Sequence, residues 1–306
     1  MHYRVEAPEF EAFLDLERPP ERLAEGCVWT EGPVWMAERR ALYFNDIPKR
    51  RMLRWREGEG VAVALADSAF ANGNSLDLAG RMISCEHGGR RVLRRLDPED
   101  PAAVEVLASH YRGRRLNSPN DLVMARDGAI WFTDPPYGIL SDLEGYEAES
   151  EIGANLVFRL DPDGGLEAVA EDFDKPNGLA FSPDGSLLYV ADSGASPGGA
   201  ATALDLARPH HLRVFSVAGG RLEGGRVFAE IAPGVPDGLR VDAEGYLWTS
   251  CAEGIHCYAP VGRRVGRILL PEIASNCCFG GDGGGDLFIT ATSSVYRVRT
   301  SRRGAA

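Results

Sequence analysis

One phrase occurs six times along these 306 residues, and it limits the fold more than any other feature. It consists of a polar residue, an apolar stretch, a glycine-bearing turn and a second β-branched or aromatic stretch, ending in Asp, Glu or a small residue. The copies are EGPVWMAERRALYFND from Glu31, GNSLDLAGRMISCEH from Gly73 and PNDLVMARDGAIWFTD from Pro119. They continue as PNGLAFSPDGSLLYVAD from Pro176, PDGLRVDAEGYLWTSC from Pro236 and SNCCFGGDGGGDLFITA from Ser275. Each reads as an antiparallel hairpin, because short apolar runs joined at Asp-Gly or Glu-Gly favour tight β turns. A third strand follows most of them, as in LVFRL from Leu156 and LRVFSV from Leu212. Long amphipathic helix patterns are missing. Six small antiparallel sheets repeated at intervals of about 40 to 60 residues predict an all-β, six-bladed β-propeller. The chain, 1–306, is expected to form one such domain. The N-terminal stretch around Tyr3–Phe13 should close the last blade and so remove an exposed edge. Residues 300–306 should form a frayed tail.

Aligned on their turns, the six copies share one column: Glu31, Asn74, Asn120, Asn177, Asp237 and Asn276. Every member carries a side-chain oxygen just before the first strand of its unit. In a propeller that strand lines the central channel, so the column becomes a ring of oxygens at one mouth. A single Asn-Gly is an ordinary turn; six equivalent oxygen-bearing positions point to a ligand. Two carboxylates with several amides suit a hard cation, and calcium accepts such oxygens in loose geometry. One divalent cation is therefore expected, calcium first, with zinc, manganese or magnesium as alternatives. Zinc held by His and Cys fits poorly, since only His87 falls near this mouth and no His-Glu-x-x-His pattern occurs. The run Gly280–Asp286 is read as a hairpin turn. No phosphate-cradling loop and no Gly-x-Ser-x-Gly elbow occurs, which argues against nucleotide and serine-hydrolase chemistry.

A net charge of −12 argues against nucleic-acid or anionic-membrane partners. The basic clusters Arg90–Arg95 and Arg112–Arg115 are read as solvated strand and loop edges. No secretory signal pattern and no membrane-length apolar stretch is visible. Six cysteines without a Cys-x-x-Cys pair read as reduced thiols, and the expected location is cytoplasmic.

The residues resemble the regucalcin and gluconolactonase propellers, bacterial gluconolactonases especially, from about Glu25 to Val298. The likeness is carried by TEGPVW (30–35), CEHGGRRV (85–92), NSPNDL (117–122), WFTDPPYG (131–138), PNGLAFSPD (176–184), PDG (236–238) and SNCCFGG (275–281). What the resemblance implies is a metal held by Glu31, Asn177 and Asp237, with Asn120 as a fourth ligand that also faces substrate. It implies metal-dependent opening of sugar lactones, a small-molecule substrate, and Asp237 as general base toward water. Activation of the water without Asp237 is the competing reading. Related propellers hydrolyse organophosphates, so another ester or a phosphotriester is the alternative substrate, and a non-enzymatic propeller with a structural ion stands behind both. The chain departs from animal members at Ser118, where those carry a substrate-contacting Arg. His87, Asp134 and Tyr137 are candidate substrate contacts; for each, a strand-end or turn residue of purely structural role is the competing reading. Two insertions, 139–153 (acidic) and 194–211 (Gly/Ala-rich), are expected to act as binding loops or lids.

Overall fold

The computed structural model describes residues 2–199 and 203–305. Each repeat folds as a four-stranded antiparallel blade, and consecutive strands pair from the inside outward. Blade 1 runs through Thr30–Met36, Ala41–Asp46, Arg51–Arg56 and Gly60–Leu65; blade 2 through Ala71–Leu76, Met82–Glu86, Arg91–Arg95 and Val104–Ala108. Blade 3 comprises Leu122–Met124, Ile130–Asp134, Leu156–Leu160 and Leu166–Ala170, and blade 4 Pro176–Phe181, Leu187–Asp192, His211–Ala218 and Arg221–Glu230. Blade 5 starts at Leu239–Val241 and blade 6 at Ala274–Gly280. The inner strands touch in a closed cycle, the inner strand of blade 6 lying against that of blade 1. The result is the expected six-bladed propeller. No helix is long and apolar enough to cross a membrane among the described residues.

The second strands are buried on both faces, as in Ala41–Asp46 and Ile130–Asp134. This explains why they read as continuous apolar runs. Their period of two sends alternate side chains to opposite neighbours. Ile130 and Phe132 pack with Ile83, Cys85 and Val92 of blade 2. Trp131, between them, packs with Leu179, Leu188 and Phe215 of blade 4. The core is therefore a ring of layers between blades. Outer strands have one wet face, and Val61 and Val63 of blade 1 are exposed.

The ring closes differently from the sequence expectation. Glu21–Ala24 is the outer strand of blade 6, antiparallel to Ser294–Arg299. Tyr3–Val5 instead adds a fifth strand to blade 5 along Arg264–Leu269, and Phe10 fills the gap that Gly266 leaves beside it. Among the described residues the tail is not frayed; Ala306 lies outside them. Residues 300–305 are held because Arg302 donates two hydrogen bonds to the fully buried Asp242, at 2.8 and 3.1 Å, and lies over the Phe13 and Tyr246 rings. The Ala305 N–H reaches Val241 O at 3.0 Å.

Two of the supposed surface arginines are also interior. Arg95 pairs with buried Glu86, and Arg90 donates to the carbonyls of Leu116 and Asn117 at 2.7 and 3.1 Å. All six cysteines are buried and free.

Candidate active site

At or just before the start of four inner strands, a glycine touches the neighbouring blade through backbone. Gly32 follows Glu31 at φ +55°, and a Cβ there would lie 1.8 Å from Asn72 O. Gly178 follows Asn177, and a Cβ would lie 2.4 Å from Asp237 O, to which the Gly178 N–H donates at 3.1 Å. Gly73 donates in the same way to Asn120 O, and Gly238 to Ser275 O. Glycine after the oxygen-bearing residue is thus what lets adjacent blades close into a ring. These contacts align Glu31, Asn72, Asn120, Asn177, Asp237 and Ser275.

The sequence column was therefore out of step in two blades. Asn74 is turned into the structure: its Nδ2 donates to Gly32 O at 2.7 Å and its Oδ1 accepts from Ser84 Oγ at 2.6 Å. Asn276 lies behind Ser275, and its Oδ1 accepts the Cys277 N–H. Asn72 was missed, although Asn72-Gly73 repeats the pattern of Glu31-Gly32, Asn177-Gly178 and Asp237-Gly238.

Glu31, Asn72, Asn120, Asn177 and Asp237 line one cavity of about 380 Å³, together with Tyr137, Glu144 and Ser193. The two insertions reach it through Leu143 and Glu144 on one side and Ser196–Gly199 and Leu204 on the other. Blades 3 and 6 carry side chains where the other blades have glycine, and these cross the channel. Asn276 Nδ2 lies 3.2 Å from Glu31 Oε2 and 3.4 Å from Asp121 Oδ2, and Arg240 Nη1 approaches the same Asp121 oxygen at 3.4 Å. Asp121, which the sequence reading passed over, thus joins blades 3, 5 and 6. A second hollow, about 470 Å³ near Trp35, Trp55 and the tail, contains none of the column residues.

The cavity is electrostatically tense. Burial pushes the Glu31 carboxyl up to about 8, and the charges of Asp121 and Glu144 add to it against the Gly32 N–H and Asn276. Asp237 is raised well above the carboxylate range, first by burial and then by Glu31 and Glu144, while a hydrogen bond with Asn177 opposes the rise. Without a cation these two acids repel one another in a desolvated site. No cluster of three or more His, Cys, Asp or Glu side chains suited to a metal is present among the described residues. The available donors are two carboxylates with the amide oxygens of Asn120 and Asn177. That set fits a hard divalent cation, whose charge matches the two acids.

The other candidates fall in different places. Tyr137 lines the cavity; its hydroxyl lies 3.5 Å from Ser193 O, and burial, then the Asp237 charge, raises its pKa. Asp134 does not line it. Its two oxygens accept the N–H groups of Asn117 and Ser118, each at 2.8 Å, and burial raises it to about 7 against these donors. Asp46 likewise accepts the N–H groups of Val28 and Trp29, and Asp192 those of Asp174 and Lys175. The acid ending the second strand thus ties down the loop before the inner strand, and Asp134 holds the loop that carries Asn120. His87 is fully enclosed, with Nε2 3.2 Å from Asn72 Nδ2 and Nδ1 3.0 Å from Glu144 O; burial lowers it to about 4. It stands behind the cavity wall. Ser118 is also buried, donating to Pro135 O and accepting from the Gly138 N–H. Glu144, the acid of the insertion that reaches the cavity, had no signal beyond the acidic character of its segment.

The pattern of the SMP-30/gluconolactonase/LRE-like region matches residues 29–293. The chain belongs to this family. It is 35% identical to the gluconolactonase of Zymomonas mobilis over 324 aligned positions, covering 97% of this chain and 86% of that one. A solved gluconolactonase from Xanthomonas campestris superposes with a TM-score of 0.87 at 37% identity, covering 98% and 95% of the two chains. Regucalcin from Agrobacterium tumefaciens, described as calcium-binding, shares the fold with a TM-score of 0.74 at 19% identity, covering 93% and 95%. The matched stretch of this SMP-30/gluconolactonase propeller contains every member of the cavity column.

Proposed function

We propose that this protein is a divalent-metal-dependent hydrolase of sugar lactones, with Glu31, Asn120, Asn177 and Asp237 holding the metal, calcium first. The observation that carries this reading is the convergence of those four oxygen-bearing side chains, from four blades, on one cavity. The likeness to proteins named gluconolactonase over nearly the full chain supports the substrate class. A bound divalent cation would supply polarisation of the lactone carbonyl and stabilise the developing oxyanion, by several kcal/mol, about what such sites contribute.

The protein's own groups do the rest. Asp237, steadied by Asn177, accepts a proton from the attacking water as that water adds to the carbonyl carbon. The ring C–O bond then breaks, and the ring oxygen takes up the proton held by Asp237 and leaves as the hydroxyl of the open acid. Asn120 faces both ligand sphere and substrate, and Tyr137 walls the cavity. The six buried free thiols accord with a cytoplasmic location.

One observation favours a second reading, a less polar ester or phosphotriester: Val28, Leu143 and Ile273 at the cavity mouth are each more than 40% exposed. The deciding experiment compares glucono-1,5-lactone with a neutral aryl ester and a phosphotriester, following acid release with a pH indicator. Lactone turnover at least tenfold above the others supports the first reading, and the reverse order supports the second. An Asp237→Asn variant that kept full turnover with metal bound would remove the base assignment.

A further inference from the structure

Glu144 is the cavity group that neither the blade repeat nor the proposed ligand set explains. It lies in the insertion between the second and third strands of blade 3, which folds back on itself through tight contacts. The Tyr146 N–H donates to Gly138 O at 3.0 Å and the Ala148 N–H to Ile139 O at 3.1 Å. A Cβ on Gly145 would lie 2.0 Å from Gly138 O, and one on Gly138 would lie 2.5 Å from His87 Cβ. The neutral ring of His87 supplies the latch. Its Nδ1–H donates to Glu144 O, and its Nε2 accepts from Asn72, itself part of the cavity wall. The backbone at Glu144 is therefore fixed to the channel mouth. Its carboxyl faces the cavity without a hydrogen bond or ion pair to another described residue, and burial alone raises it to about 7. An acceptor held rigidly in a partly desolvated pocket with no protein donor is suited to donors brought by a ligand.

Resting on the lactonase reading, we infer that Glu144 is the specificity-determining residue for hydroxyl groups on the lactone ring, accepting hydrogen bonds from them. Lactones with several hydroxyls would gain from it, and the bare ring would not.

The test uses the full-length, calcium-loaded protein with D-glucono-1,5-lactone and with δ-valerolactone, the same six-membered ring without hydroxyls. In Glu144→Ala, kcat/KM for gluconolactone should fall about tenfold or more, the usual effect of losing an acceptor built for a substrate hydroxyl. For δ-valerolactone at saturating calcium it should stay within about twofold; saturation removes any change in calcium affinity, since the Glu144 charge also bears on Glu31 and Asp237. Glu144→Gln, which keeps the shape and one acceptor oxygen, should fall between. Equal losses on both lactones at saturating calcium, or no change on either, would each overturn the inference. If the wild type opened neither lactone, the lactonase reading would fail and calorimetry would decide the inference separately. Preference for D-gluconate over 5-hydroxypentanoate that vanishes in Glu144→Ala would uphold it; equal binding of the two by the wild type would overturn it.

Discussion

Asn276 of blade 6 donates through Nδ2 to Glu31 Oε2 of blade 1 across 3.2 Å, and the same nitrogen lies 3.4 Å from Asp121 of blade 3. Glu31 is thus oriented from behind the cavity. Asn276→Ala should weaken calcium binding by about tenfold, the scale of losing an outer partner of a ligand. Glu31→Gln, which removes a charge from the proposed ligand set, should weaken it more than about a hundredfold. Calorimetry on both variants checks the order, and equal losses would place Asn276 among the ligands.

Calcium affinity should depend on pH with a defined sign. In the metal-free protein Glu31 holds its proton up to about 8, and Asp237 is raised beside it. Binding must displace those protons, so affinity rises with pH until the acids ionise unaided. Below pH 8 the apparent affinity should climb about tenfold per pH unit for each proton released. Calorimetry in buffers of different ionisation heat measures that release, and an affinity flat between pH 6 and 8 would contradict the prediction.

The assignment of Asp134 as an anchor has a stability consequence. Asp134→Ala leaves the buried N–H groups of Asn117 and Ser118 without their acceptor and should cost about 2–4 kcal/mol. Urea unfolding reads this directly. A substrate-contacting Asp134 would instead raise KM while leaving stability unchanged.

His87 is neutral in the folded protein, lowered to about 4 from an ordinary 6.5. Between these values the unfolded chain binds the proton and the folded one does not. Stability from this residue is full above pH 6.5 and falls as pH drops toward 4, by about 3 kcal/mol in total. His87→Gln should flatten that slope in urea titrations at pH 4.5 and 7; an unchanged slope would place the pH dependence elsewhere.

The propeller was legible because each blade must turn tightly into its second strand and bury both faces of it. Those needs write themselves as Asp-Gly or Glu-Gly followed by an apolar run. The four cavity residues Glu31, Asn120, Asn177 and Asp237 were legible for a related reason, since the entry to each inner strand is a repeated object. Asn74 and Asn276 were misread because the alignment followed the hairpin turns. The contact that sets the phase is the glycine packed against the neighbouring backbone, which selects Asn72. Asp134 looked like a pocket residue until Asp46 and Asp192 were seen to hold the equivalent N–H pairs. Glu144 lies in an insertion outside the repeated hairpin, so no repeat could identify it. The closing strand Glu21–Ala24 is four residues with two charges and a weak strand pattern, and only its partner Ser294–Arg299 defines it.

The central claim is a hydrolase whose chemistry needs a divalent cation between Glu31 and Asp237. Initial rates on glucono-1,5-lactone test it most directly, using chelator-stripped protein with calcium, zinc, manganese or magnesium added back. The account predicts no turnover without metal, recovery with calcium, and loss of about a hundredfold or more in Glu31→Gln at saturating metal. Full turnover in the stripped protein, or in Glu31→Gln, would contradict it.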